Sequence, residues 1–183
     1  MLGPFLETHS VVSKPETPCD DHNSVVEHAR YLRFQTKLAL EAAQYTVDFG
    51  EAMSILEFWQ RSYRASDPGS AEILHADKAC GAIVIFPSSV GSMCELGLFA
   101  AQHGIAQKTL AVVHKKYEAD SSFFRQALLK VFKAENGDVI FKDYANEAEC
   151  AQAAVDFVDA KYNSFQRSFM SYEEFPKRYG KVG

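Results

Sequence analysis

The chain has 183 residues, 47% of them hydrophobic and 13% aromatic, with a formal net charge of −5. That is ample apolar material for one core, which excludes a disordered chain, and the acidic balance argues against a nucleic-acid surface covering the whole domain. The four cysteines (Cys19, Cys80, Cys94 and Cys150) form no C-x-x-C pair and the six histidines are dispersed, so free thiols are expected, with no metal site.

Residues 1–23 read as an irregular N-terminal segment, with Pro4, Pro15 and Pro18. A domain over 24–162 follows. Its first helix starts at Ser24, with Val25, Ala29, Leu32, Thr36, Ala39 and Ala43 on one face. Arg30 and Arg33 on that helix would reach a phosphate if its start faced a pocket. Residues 45–49 have strand propensity, Gly50 turns the chain, and 51–59 read as a helix. Asp48 and Glu51 thus fall at a strand-to-helix corner. Each also fits a purely structural role, Asp48 as a cap and Glu51 as a first-turn partner of the helix dipole. A loop at 66–69 and a short helix at 70–79 lead into residues 82–86, a short apolar run typical of a strand covered on both faces.

Pro87 stops that strand. Ser88, Ser89 and Gly91 make the turn, and a helix begins near Ser92 with Leu96, Phe99 and Ala100 toward the core. Residues 107–114 form the next strand, ended by His114, with Tyr117 in the following loop. An amphipathic helix over 121–134 ends at Asn136-Gly137, a last strand covers 138–141, and a packing helix covers 147–162. Residues 163–183 are an aromatic extension. Tyr162, Phe165, Phe169 and Tyr172 recur at three- and four-residue steps until Pro176, a stripe suited either to packing on the domain or to docking on a partner. Alternating strands and helices predict an α/β fold with a mostly parallel sheet. With no apolar run long enough to span a bilayer and no signal peptide, the expectation is a cytoplasmic protein without membrane partners.

In an open α/β sheet, ligands bind at the carboxyl ends of strands, where helix N-termini present free N–H groups. Ser88, Ser89, Gly91, Ser92 and Glu95 fall there, and His114 ends the neighbouring strand. A carboxylate at that place can attack or stabilise an oxocarbenium-like sugar carbon. The same Glu95 also completes an S-x-x-E capping box with Ser92, so spacing alone leaves both roles open. If the strand at 45–49 neighbours 82–86, Asp48 supplies a second carboxylate on the same rim. His114 could hold a ribose hydroxyl or act as acid/base, and Tyr117 could stack on a base. There is no Gly-x-Gly-x-x-Gly and no P-loop, which disfavours ordinary dehydrogenases and NTPases.

The stretch from Asp77 through Ser88-Ser-Val-Gly-Ser-Met-Cys-Glu95-Leu-Gly-Leu-Phe-Ala100 resembles the nucleoside 2-deoxyribosyltransferase-like superfamily, most closely the effector toxins of retron defence systems. Lys108-Thr-Leu-Ala-Val-Val113 and Asp120-Ser-Ser-Phe-Phe124 fit its continuation, and the resemblance covers about residues 45–145. It implies a Rossmann-like three-layer fold with four to five strands. It also implies N-glycosidic cleavage of a nucleotide, with Glu95 and Asp48 catalytic and Ser88, Ser89, Gly91, Ser92, Glu51, His114 and Tyr117 around the substrate. No cofactor beyond NAD or another nucleotide as substrate is implied. A homo-oligomer is expected, and for a retron effector a reverse transcriptase with its DNA–RNA product would restrain the toxin. In deoxyribosyltransferases an Asp commonly lies six residues before the Glu, where this chain has Ser89. Its absence favours NAD(P) cleavage over base exchange, because nicotinamide leaves neutral from a cationic ring and needs no proton. A metabolic deoxyribosyltransferase or nucleotide hydrolase, a TIR-like NADase and a non-catalytic nucleotide-binding adaptor remain as alternatives.

Overall fold

The sheet is small: among the described residues three runs form strands, two of them buried on both faces and the third a half-buried edge. In the computed structural model, which describes residues 12–50, 53–63 and 67–179 (backbone alone at 53–56, 63 and 166–179), these are β1 (Ile83–Ile85), β2 (Thr109–His114) and β3 (Asp138–Lys142). They pair in the order β1-β2-β3, all parallel. Ile83 pairs with Thr109, and Leu110 with Asp138.

Side chains alternate between two cores, as the two-residue period of a strand requires. Ile83, Ile85, Ala111 and Val113 pack with α3 (Pro68–Lys78), α4 (Val90–Ala100), α5 (His103–Ala106) and α6 (Leu129–Ala134). Val84, Phe86, Leu110 and Val112 pack on the other side with α1 (His22–Ala42) and α7 (Glu147–Tyr179). Helices therefore cover both faces, and every residue of β2 is buried. The remaining helix is α2 (Met53–Tyr63), which packs on α3.

Several expected boundaries move. Residues 45–49 form no strand. The α1 helix closes in a Schellman pattern, with Tyr45 N–H on Leu40 C=O, Gln44 N–H on Glu41 C=O and Gln44 at φ 67°. Residues 45–49 then run irregularly beside β1, lining cavities with Ile83 and Val84, without pairing, so three strands stand where four to five were expected among the described residues. The 121–134 helix begins with a wide π turn over Phe124–Leu128 before α6. It ends as expected, with Asn136 at φ 63° and Gly137 N–H on Phe132 C=O. Glycine is required at 137, because a Cβ there would lie 2.4 Å from the Phe132 ring. At the C-terminal end α7 runs as a single helix through residue 162 and past Pro176. Among the described residues no helix is long and apolar enough to cross a membrane.

Candidate functional site

The turn after β1 is built around one buried hydroxyl. Ser92 Oγ accepts from the backbone N–H of Ser88 and of Ser89, both at 3.0 Å, and donates to Ser89 C=O. Ser89 Oγ in turn accepts from Ser92 N–H at 3.2 Å. Ser89 is therefore the N-cap and α4 starts at Val90. The expected start near Ser92 and the expected Ser92–Glu95 capping box are both corrected: the box is Ser89 with Ser92, because the polar groups that close it lie one turn earlier.

Glu95 is therefore not a member of the capping box. It lies in the second turn of α4, half-buried, with its Oε2 shielded from solvent. Ser92 is spent on the cap, so its role is to position. Helix geometry leaves the N–H groups of Val90 and Gly91 without intrahelical acceptors, and both residues are exposed. No acidic residue lies in the first turn of α4, and its cap is a neutral hydroxyl.

His114 ends β2, and it is buried rather than open to a ligand. Its Nδ1 accepts from Lys116 N–H at 3.3 Å, which puts the ring proton on Nε2. That nitrogen is 3.5 Å from Cys19 Sγ and 3.9 Å from Asp143 Oδ1. Burial lowers the His114 pKa, against the pull of Asp143. Burial also pushes the Cys19 thiol up to about 11, so it stays protonated. Tyr144 packs edge-on against both His114 and Phe86, and its hydroxyl donates to Val112 C=O at 2.6 Å. Tyr117 is half-buried, with its ring against Phe124.

Asp48 is placed elsewhere. It lines a cavity of about 310 Å³ with Tyr45, Tyr162, Phe165 and residues 79–82, which precede β1. His75 Nε2 lies 3.8 Å from Asp48, and its Nδ1 accepts from the indole N–H of Trp59 at 3.1 Å. Neither of the two cavities that Asp48 lines has Glu95 in its wall. Glu51 lies outside the described residues. Of the two arginines, Arg30 is exposed, while Arg33 is fully buried with its guanidinium 5.0 Å from the Phe49 ring centre. Among the described residues no group of three or more His, Cys, Asp or Glu is placed to hold a metal.

The sequence reading missed the polar cluster around His114. His28 of α1 is buried and contributes its field to that cluster, and Cys19 comes from the N-terminal segment. No sequence signal links residues 95 positions apart.

No curated protein matches the chain. A family model does match, over residues 51–179, which include β1, the α4 turn, Glu95, the whole sheet and α7. The chain belongs to the STM3845 retron effector protein family, and its role is that of a defence-associated effector.

Proposed function

We propose that this effector cleaves the N-glycosidic bond of a nucleotide, with NAD(P) or a related nucleotide as the favoured substrate. The observation that carries the reading is the setting of Glu95. Its carboxylate, one oxygen shielded from solvent, sits on the helix whose neutral-capped start follows the carboxyl end of β1. The N–H groups of Val90 and Gly91 would take phosphate or ribose oxygens, helped by the positive end of the helix dipole. Glu95 would stabilise or attack the sugar carbon as the C1′–N bond breaks and its electron pair passes to the departing base. Nicotinamide accepts that pair without a proton, so Ser89 in place of an acid is no handicap. Water then adds to C1′, displacing the Glu95 carboxylate where that has bonded to it, and releases its proton to solvent, which completes hydrolysis. Self-association, and restraint by a reverse transcriptase with its DNA–RNA product, belong to the same proposal.

The test is release of free base from NAD, NADP, ATP and deoxynucleosides, followed by chromatography, with Glu95→Gln alongside. The substitution keeps shape and most polar contact while removing the charge. Release from the wild type that drops by at least about 100-fold in the variant supports the proposal. Tight nucleotide binding without release from either protein would overturn it in favour of a binding module.

A further inference from the structure

The cluster at the carboxyl ends of the strands is polar, buried and covered by the segment that precedes α1. We infer that residues 12–19, which precede the cap of α1, are a strap closing this site, which must lift before a nucleotide reaches the His114 side of it; the identity of that ligand rests on the glycosidase reading above.

Besides the packing of Cys19 against the core shared by α1 and α7, three polar contacts among the described residues tie 12–19 to the domain. Lys14 Nζ pairs with Glu147 of α7 at 2.5 Å. Thr17 C=O accepts from His28 Nε2 of α1 at 2.9 Å. Cys19 Sγ lies 3.5 Å from His114 Nε2 at the end of β2. Beneath them, Ser88 and His114 are buried, and so is His28. Ser88 follows the end of β1 at Ile85 by three residues and His114 ends the adjoining β2, so both stand at the carboxyl side of the sheet. His114 shares the strand parity of Leu110 and Val112, which face α1 and α7, and His28 lies on α1.

Two polar atoms here, Ser88 Oγ and His28 Nδ1, have no hydrogen-bond partner among the described residues. Native interiors rarely leave such atoms unmade, and a persistent orphan calls for a reason. Apolar side chains of the same shape would pack this layer at lower cost, as Val84, Phe86, Leu110 and Val112 do beside it. A hydroxyl and an imidazole held ready for an entering ligand account for both atoms. The strap is also weakly held. Its ion pair uses a lysine 62% exposed, a kind of contact worth little at a surface, and its other polar ties among the described residues are one carbonyl and one thiol. Segments with so few anchors open locally without unfolding the domain. The strap precedes the residues matched by the family model, so it is a device of this chain beyond the matched region.

The test uses the full chain. Maleimide labelling of Cys19, resolved from Cys80, Cys94 and Cys150 by peptide mass spectrometry, reports strap opening without any substitution. Saturating NAD or ATP is expected to accelerate Cys19 labelling by at least about tenfold, as local opening becomes the bound state. Cys19→Arg, too large and charged to sit against His114, is expected to raise base release by a similar factor, and Cys19→Ala serves if that variant does not fold. Unchanged labelling with unchanged, Glu95-dependent release would overturn the strap and leave the glycosidase standing. Accelerated labelling with no release from any protein would support the strap and sink the glycosidase. Unchanged labelling with no release would sink both.

Discussion

The starts of α1 and α4 use the same serine device to different ends. In α1, Ser24 Oγ accepts from Asp20 and Asp21 N–H at 3.2 and 3.1 Å and donates to Asp21 C=O. In α4, Ser92 Oγ does the same with Ser88, Ser89 and Ser89 C=O. The difference is the cap. Asp21 brings a carboxylate that accepts Ser24 N–H at 2.9 Å, and that bond holds its pKa below the usual range. Ser89 brings a hydroxyl. The positive end of α1 is thus neutralised by its own chain, whereas that of α4 is left for something else. An identical hydrogen-bond pattern can be a finished structural end or an unfinished binding end, and the charge of one residue decides which.

The largest effect expected on this contrast is that of Glu95→Gln, which should lower base release by at least about 100-fold while leaving the thermal midpoint nearly unchanged. Retained activity would reduce α4 to a scaffold. Next comes Ser89→Asp, which makes the start of α4 like that of α1. It should weaken binding of a phosphate-bearing nucleotide by at least about tenfold in calorimetry, because the helix end is then already neutralised. An unphosphorylated nucleoside should be affected much less; equal loss for both would show that no phosphate sits there. Ser92→Ala leaves the buried N–H of Ser88 unpaired and should cost about 2 kcal/mol of stability in urea unfolding. Asp21→Ser is the smallest: a lower midpoint than wild type, by less than Ser92→Ala, with nucleotide binding intact.

A pH series sharpens the same region. His114 has its folded pKa lowered by burial, so the unfolded chain takes up the proton first. Its contribution to stability is complete above the ordinary histidine range near about 6.5 and is lost as pH falls from there toward the folded pKa. Stability should therefore decline as pH falls below the ordinary histidine range near about 6.5. His114→Gln should flatten that slope in part, the remainder coming from His75, whose pKa burial also lowers. A slope unchanged by the substitution would show that His114 is not kept neutral by the fold.

Much of the architecture was legible because it is local. The apolar runs at 82–86 and 107–114 became strands buried on both faces, and 138–141 a half-buried edge strand. Asn136-Gly137 ended its helix because Asn accepts a positive φ and only Gly fits against Phe132. The segment at 45–49 failed by the same logic. Its β propensity is real, but a Gln at φ 67° closed α1 and the chain passed β1 without pairing, which no propensity scale weighs. The candidate site divides in the same way. The Ser88–Ser92 turn was readable as a helix start, though its cap fell at Ser89, because Ser and Glu can both close a box and only the backbone path chooses.

By itself the sequence determined that this is an α/β chain with a parallel sheet, that a turn rich in small polar residues follows its central apolar strand, and that Glu95 stands just inside the next helix. Those are consequences of side-chain period and turn chemistry over a few residues. Only the tertiary structure decided that Asp48 joins His75 and an aromatic cavity beside the residues preceding β1, and that Cys19 and His28 enclose His114. These contacts depend on how α1, α3 and α7 are carried over the sheet, and the packing of distant segments leaves no periodicity in the chain that forms it.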